Sequence, residues 1–447
     1  MTRAVRALLG VLLLVLTAAA AGCGGTAELG SPEERPVAVL GPWTGDQEED
    51  FRALLDRAGV RYTYQGTAAQ REVLLSQVQS GSPPDIALLP GPGELADYAR
   101  KGHLASLEGL YEPVEYGGEG PWQPVASGTG GSYWVPVKAD VKSLVWYRAG
   151  GPRPDGSTVG QWCLGMIDDG ASGWPGSDWI EDIVLQGYGT GIYERWAGGT
   201  LPWTDERIAA AWREWGLLLA QDDGSGGEDG DGRGDRGGGS AARRALLTDH
   251  RGKPGAHGLL FGGGRRSCAL EHQGTFAPFF YGERASDARF VSSRSLLPGG
   301  PYMYEGPERS EVSADFAVLF KSGGGPPGDR RKLLSFLAST RGQRALLKTT
   351  GYFSANSTAY PGAPGAERSG ERIARRLTGK ESERCLDASD VMPPAVRDAF
   401  YEEVLRFLTA PAKDPLPRLR AIQSIQRTER ARLGLGPGTP WMRGVCT

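Results

Sequence analysis

Residues 80–107 read SGSPPDIALLPGPGELADYARKGHLASL, and this stretch decides the fold class. Pro84-Asp85 introduces an apolar run at 86–89, the length of one buried strand. Gly91-Pro92-Gly93 breaks the run, and Leu95, Tyr98 and Ala99 follow at helical spacing. Upstream, 61–64 reads as a strand, and Val73, Leu74, Leu75 and Val78 mark a helix between the two. Residues 36–40 form a further apolar run stopped by Gly41-Pro42. Phe51, Leu54, Leu55 and Ala58 then give 47–59 a helical face ending at Gly59. Strands and helices alternating at this spacing predict an α/β fold, a mostly parallel sheet with helices on both faces.

The pattern changes further along. Residues 161–221 are helix-rich and heavy in Trp. Residues 222–240 hold nine Gly, six acidic residues and nothing apolar, which predicts a disordered surface loop. Asp229 and Asp231 there have the spacing of a calcium loop, but Arg233 and Ser240 fall where that loop needs oxygen ligands. Residues 268–281 are aromatic and apolar, 314–321 read as a strand, and 332–347 and 393–433 read as helical.

The chain has 447 residues, 39 % hydrophobic, enough for two or three cores. Its 50 basic and 53 acidic residues nearly balance, which excludes a general nucleic-acid binder, since phosphate neutralisation needs a basic face. Mean hydropathy is −0.35, too polar for a polytopic membrane protein. Arg3 and Arg6 precede an apolar segment at 8–20, too short to span a bilayer, and Ala20-Ala21-Gly22 precedes Cys23. This is the layout of an export signal and resembles a bacterial lipobox. It predicts a signal peptide over 1–23, acylation of Cys23, a Gly/Ser/Pro/Glu-rich tether over 24–34, and a lipid-anchored location on the extracellular face of the membrane.

Catalytic signatures are missing. No G-x-x-x-x-G-K-[ST], H-E-x-x-H or G-x-S-x-G is present; Gly170-Ala171-Ser172-Gly173 misses the last by one position. The histidines at 103, 250, 257 and 272 are scattered, and Cys268 with His272 is too small a set for zinc, so neither metal nor cofactor is expected. Gly91-x-Gly93-x-x-Ala96 follows a strand and opens a helix. Pro92, however, removes an N–H that a phosphate cradle needs, which leaves a tight turn at the carboxyl end of a parallel strand, where open α/β sheets bind ligands. Asp178, Glu181 and Asp182 are paired carboxylates, the raw material of a glycosidase. Glu181 and Asp182 are adjacent on a helix and point apart, so acids in a helix's first turn is the simpler reading.

The residues favour non-covalent recognition of a polyol. Sugars present apolar C–H faces ringed by hydroxyls, and Trp or Tyr stacks on those faces while Asp, Asn, Gln and His take the hydroxyls. Twelve Trp are present. Trp146, Trp212 and Trp215 lie on strand or helix patterns and are expected in the core; Trp43 and Trp174 lie in turns, where a platform is expected.

Several stretches, in order, resemble one family. They are GPWTG (41–45), the 80–107 stretch, VPVKADVKSLVWY (135–147), WCLGMIDDGASGWPGSDWIEDIVL (162–185), CALEHQGTF (268–276), SADFAVLF (313–320), GYFSAN (351–356) and CLDASDVMP (385–393). Together they resemble the extracellular solute-binding lipoproteins of ABC sugar importers, the family-1 group with the maltose- and α-glucoside-binding proteins. The resemblance implies a two-lobed, type II periplasmic-binding-protein-like fold, each lobe a mostly parallel or mixed sheet flanked by helices, with an inter-lobe hinge. Lobe one is expected at 35–138 and 313–352, lobe two at 139–312 and 353–447, with hinge strands near 138–141, 312–314 and 351–354.

By position, the resemblance implies ligand contacts from Trp43 and Thr44, from Pro90, Gly91 and Glu94, and from Lys138 and Asp140 at the hinge. It implies others from Trp174, Asp178 and Trp179, from His272 and Gln273, and from Phe353 and Asn356. Asp387, Ser389 and Asp390 read instead as a helix-capping turn. Cys163, Cys268, Cys385 and Cys446 allow three pairings. Cys268 and Cys385 both lie inside matched stretches, so Cys268–Cys385 is the expected bridge, with Cys163–Cys446 as the remainder.

The implied function is carbohydrate capture, of an oligosaccharide or α-glucoside, by a monomer that is not an enzyme and that delivers its ligand to ABC permease subunits. A cell-surface glycoside hydrolase and a sensor without a transport partner are the alternatives.

Overall fold

The structure is a computed structural model describing residues 35–118, 120–151, 153–221, 239–262, 268–298, 306–360, 369–379 and 383–447. The expected signal peptide, Cys23, the tether and nearly all of the 222–240 loop lie outside the described residues.

The main sheet is built on strands β1 (Val37–Gly41), β2 (Tyr62–Gly66) and β3 (Ile86–Pro90), which pair in parallel in the order β3-β1-β2. Helices α1 (Asp46–Leu55), α2 (Gln70–Gln79) and α3 (Pro92–Arg100) alternate with them. Ile86, Ala87, Leu88 and Leu89 are all fully buried, as expected of a parallel strand covered on both faces. The first helix ends three residues before Ala58, the last residue of its face, passing into a 3₁₀ turn at Asp56–Ala58 closed by Gly59 at φ +60°.

Two further strands turn this sheet into a bridge. β5 (Trp134–Val141) runs antiparallel to β9 (Arg309–Leu319), with Trp134 opposite Val318 and Val141 opposite Val312. The register shifts between Pro136 and Lys138, where proline cannot donate to the ladder. One end of β9 pairs with β3, and the other, Arg309–Val312, pairs in parallel with β10 (Glu383–Leu386). β5 and β9 therefore carry the chain between two bodies. Ala139 also donates its N–H to the Phe353 carbonyl at 2.9 Å, so 351–354 lies against the same stretch of β5.

The second body contains an antiparallel sheet ordered β7-β6-β8, made of β6 (Leu144–Arg148), β7 (Leu270–His272) and β8 (Ala288–Ser292). A two-stranded pairing joins β4 (Val125–Ala126) to β11 (Met442–Arg443). Helices α4 (Trp174–Tyr188), α5 (Thr190–Ala197) and α6 (Glu206–Leu219) pack with α10 (Pro394–Leu408) and α11 (Leu416–Arg432). Their core is aromatic: Trp196, Trp203, Trp212 and Trp215 are fully buried around Phe400 and Phe407. Much of the tryptophan content is thus structural, each such ring contributing ~1.5–3 kcal/mol by burial.

The expected helix at 332–347 is two helices, α7 (Pro327–Ala338) and α8 (Thr340–Thr350). Ser339 between them is extended, and its hydroxyl accepts the Gly342 N–H, an N-cap that starts a new helix. The 393–433 segment likewise splits into α10 and α11 around Pro411 and Pro415. α9 (Ser369–Thr378) lies between these two pairs. No helix among the described residues is long and apolar enough to cross a membrane.

The disulfide expectation is overturned: the bridges are Cys163–Cys268 and Cys385–Cys446. The Cys163 N–H donates to the Leu270 carbonyl at 2.7 Å, bringing the Cα atoms of Cys163 and Cys268 within 5.1 Å. Cys385 and Cys446 sit directly opposite in an antiparallel bridge, 4.0 Å apart at Cα. Local strand registration, not membership of matched stretches, chose the partners.

Candidate functional site

Where β5 crosses between the bodies, aromatic rings from both converge on two lysines. Trp43 occupies the turn after β1, where its N–H donates to the Tyr64 hydroxyl at 3.1 Å. Its ring stacks on Tyr352 at 5.5 Å, and Tyr352 meets Phe279 edge-on at 5.2 Å. Tyr352 follows α8 and the left-handed Gly351 (φ +71°) that ends it. Across the crossing, Trp174 opens α4, anchored by its indole N–H donating to Asp168 at 2.7 Å, with Phe276 at 5.9 Å and His250 at 4.8 Å. Lys138 Nζ lies 5.2 Å from the Tyr352 ring and 5.6 Å from Phe276; Lys142 Nζ lies 4.5 Å from Trp174 and 5.8 Å from Phe276.

Carboxylates flank these ammonium groups. Lys138 pairs with Asp140 at 2.7 Å and faces Asp315 at 3.8 Å. Asp140 also accepts the Thr275 hydroxyl at 2.7 Å, which seats the turn carrying Phe276. Lys142 pairs with Asp178 at 2.8 Å and Asp387 at 3.1 Å. Burial opposes the charge on both lysines, but the neighbouring carboxylates outweigh it and raise both above the ordinary lysine value. Burial pushes Asp315 up to about 6, with Lys138 pulling the other way. The row is therefore apolar on its faces and charged along its edge, the chemistry that stacks on a polyol ring and bonds its hydroxyls; Trp43, expected as a platform, and Tyr352 are buried against each other in this state and meet a ligand only when the region opens.

The turn after β3 closes one side. The Gly91 N–H donates to the Ala314 carbonyl, and a Cβ on Gly91 (φ +73°) would overlap the backbone of Asp390. Glu94 holds Arg71 at 3.0 Å and Arg397 of α10 at 3.2 Å. Trp43, Gly91, Glu94, Lys138, Asp140, Trp174 and Asp178 thus assemble in one region around the crossing strands. Pro90 ends β3 half-buried beside them, and Phe353 lies on the far side of Ala139.

The remaining expected contacts go elsewhere. Thr44 is exposed. Trp179 packs in the second core between Trp162 at 4.6 Å and Trp215 at 6.3 Å. His272 lies against Trp179 and bonds Asp182 at 2.9 Å. Gln273 is buried, its amide 3.4 Å from His250. Asn356 is fully buried, donates to Glu115 at 2.8 Å and caps the 3₁₀ turn Ser357–Ala359. The acids of α4 also work inside the fold: Glu181 accepts the Ala388 N–H at 2.6 Å, and Asp182 binds His272 and the Ser143 hydroxyl. Lys142, Tyr352 and Asp315 are site members that the sequence reading missed. A signal for Lys142 existed: Lys138, Asp140 and Lys142 alternate, which puts them on one face of an extended strand.

A family model described as bacterial extracellular solute-binding protein matches residues 58–233. The α-glucosides-binding periplasmic protein AglE of Rhizobium meliloti is 28 % identical over 421 residues, covering 83 % of each chain. Over these residues the chain resembles the bacterial extracellular solute-binding proteins. Another relative, the osmoprotective compounds-binding protein GgtB of Synechocystis, is 27 % identical and covers 86 % of this chain and 90 % of its own. The fold agrees with this resemblance. A solved chitin oligosaccharide binding protein, 15 % identical, superposes with a TM-score of 0.63 over 88 % of this chain and 98 % of its own. The fold class is thus the two-lobed α/β architecture of these solved binding proteins.

Proposed function

We propose that this protein is the substrate-binding component of an ABC importer, a non-enzymatic receptor for an oligosaccharide or α-glucoside. The observation that carries the reading is the aromatic row Trp43, Tyr352, Phe276 and Trp174, drawn from both bodies and lined by Lys138, Asp140 and Lys142. The names of the relatives, α-glucosides among them, support the ligand class. Lobe one spans 35–138 and 313–352, lobe two 139–312 and 353–447, and β5, β9 and 351–354 form the hinge. The chain is a monomer tethered through acylated Cys23 to the extracellular face of the membrane, and it hands its ligand to the permease subunits.

Capture works by population shift. A sugar stacked on Trp43 and Tyr352 alone makes half its contacts; closing the lobes adds Trp174 and Phe276, so the ligand stabilises the closed state by the contacts it makes only there.

Tryptophan fluorescence and thermal unfolding of the full chain against maltose, trehalose, cellobiose, xylobiose and longer oligomers test the proposal. A sugar that binds the folded state raises the unfolding temperature by mass action. The expected result is a shift with one sugar class, recovered intact. A cleaved sugar refutes the receptor reading in favour of a hydrolase; silence across the panel refutes the carbohydrate.

A further inference from the structure

Behind the aromatic row, the carboxylates of Asp178, Glu311 and Asp387 converge. One oxygen of each lies within 4.8 Å of the others, and all three residues are buried. They arrive from three segments: α4, the first residues of β9 and the turn after β10.

Their hydrogen bonds leave a specific deficit. Oδ2 of Asp178 and Oδ2 of Asp387 accept Lys142. Oδ1 of Asp387 accepts the Ser389 hydroxyl at 2.6 Å and the Asp390 N–H at 3.1 Å. Oδ1 of Asp178 has no partner, and neither oxygen of Glu311 has one, although Glu311 is 0 % exposed. Glu181, one helical turn beyond Asp178, also leaves Oε1 unpartnered. Among the described residues, the ammonium group paired with these acids is Lys142, which reaches Asp178 and Asp387 but neither Glu311 nor Glu181.

We propose that Asp178, Glu311 and Asp387 bind a hard divalent cation, calcium by preference. Every donor is a carboxylate oxygen, the chemistry that selects calcium, magnesium or manganese over zinc. Oxygens within 4.8 Å of one another fit around an ion with bonds of about 2.3–2.6 Å, and calcium's flexible geometry suits carboxylates held by three separate segments better than magnesium's strict octahedron. Lys142 stays on the two Oδ2 atoms, while the ion takes Asp178 Oδ1, the Glu311 carboxylate and a remaining lone pair of an Asp387 oxygen already held by its own donors. The ion ties α4 and β9 to the turn on which Gly91 rests, and so stiffens one wall of the cleft.

The test uses the purified full chain stripped with EDTA, then titrated with calcium, magnesium or terbium. Calcium is expected to raise the unfolding temperature by about 2 °C or more, reversibly on chelation. Terbium luminescence excited through tryptophan is expected to saturate at one ion per chain, since Trp174 stands beside Lys142. Glu311→Gln and, independently, Asp178→Asn are expected to weaken both signals at least tenfold. A variant with the acids of 222–235 changed to their amides is expected to keep both. The proposal is overturned if calcium leaves the wild-type transition unmoved, if both site variants retain the signals, or if the 222–235 variant loses them.

Discussion

Lys142 Nζ lies 4.5 Å from the Trp174 ring centroid and 2.8 Å from the Asp178 carboxylate. One ammonium thus serves a cleft-facing aromatic ring and a buried acid at once, coupling the recognition surface to the polar interior behind it.

Lys142→Met removes the cation and leaves Asp178 and Asp387 without their charge partner. Breaking such a buried pair costs ~3–5 kcal/mol. Urea unfolding in chelator is expected to show a loss of that size. An unchanged midpoint would mean that the acids do not depend on Lys142.

Trp174 is half-buried and anchored by one hydrogen bond to Asp168, so Trp174→Ala is expected to leave the fold intact. Affinity for the sugar identified above is expected to fall at least tenfold, ~1.4 kcal/mol or more. Calorimetric titration measures it. Trp212→Phe, in the second core, is expected to lower stability while leaving affinity unchanged.

Gly91 combines a left-handed backbone with a close approach to Asp390. Gly91→Ala adds strain and holds the two segments apart, opposing closure. The expected outcome is weaker ligand binding with a faster off-rate in stopped-flow fluorescence. Unchanged binding kinetics would show that closure does not bring these segments together.

Burial pushes the Glu271 carboxyl up to about 7, although the Tyr281 hydroxyl donates to it at 3.0 Å. Its folded value exceeds the ordinary 4.5, so the folded state holds the proton more tightly than the unfolded chain. That contribution is complete below about pH 4.5 and disappears as pH rises through about 7, a difference of ~3 kcal/mol. Glu271→Gln is expected to remove this part of the pH dependence. Parallel stability curves for the two proteins between pH 5 and pH 8 would disprove it.

Non-reducing peptide mapping is expected to recover Cys163 joined to Cys268 and Cys385 joined to Cys446. Replacing both Cys163 and Cys268 by serine is expected to cost ~2–5 kcal/mol, because that bridge closes a loop of 105 residues. A peptide joining Cys268 to Cys385 would contradict the strand registers described above.

Local signals located much of this protein. The Ile86–Leu89 run and the Gly91 turn were legible because burial on both faces demands continuous apolar residues and a left-handed turn demands glycine. Trp212 and Trp215 declared themselves core by helical spacing. Trp179 did not, since the same Gly-Trp-Pro-Gly-Ser-Asp-Trp segment sends Trp174 toward the cleft and Trp179 into the second core. Five residues put the two rings about 140° apart on the helix, but periodicity does not say which of the two faces meets the cleft when both are covered. His272 and Asn356 carry hydrogen-bonding groups suited to a ligand, and the fold uses those groups on Asp182 and Glu115 instead.

By itself the sequence determined the alternation of strand and helix, the tight turn after β3 and the family the chain resembles, because these depend on residues close together along the chain. Only the tertiary structure decided which cysteines pair, which aromatic rings from the two bodies stand beside Lys138 and Lys142, and which carboxylates share the space around Glu311. Those are meetings of residues tens to hundreds of positions apart. Strand register and helix packing set them, and neither is written in any local stretch.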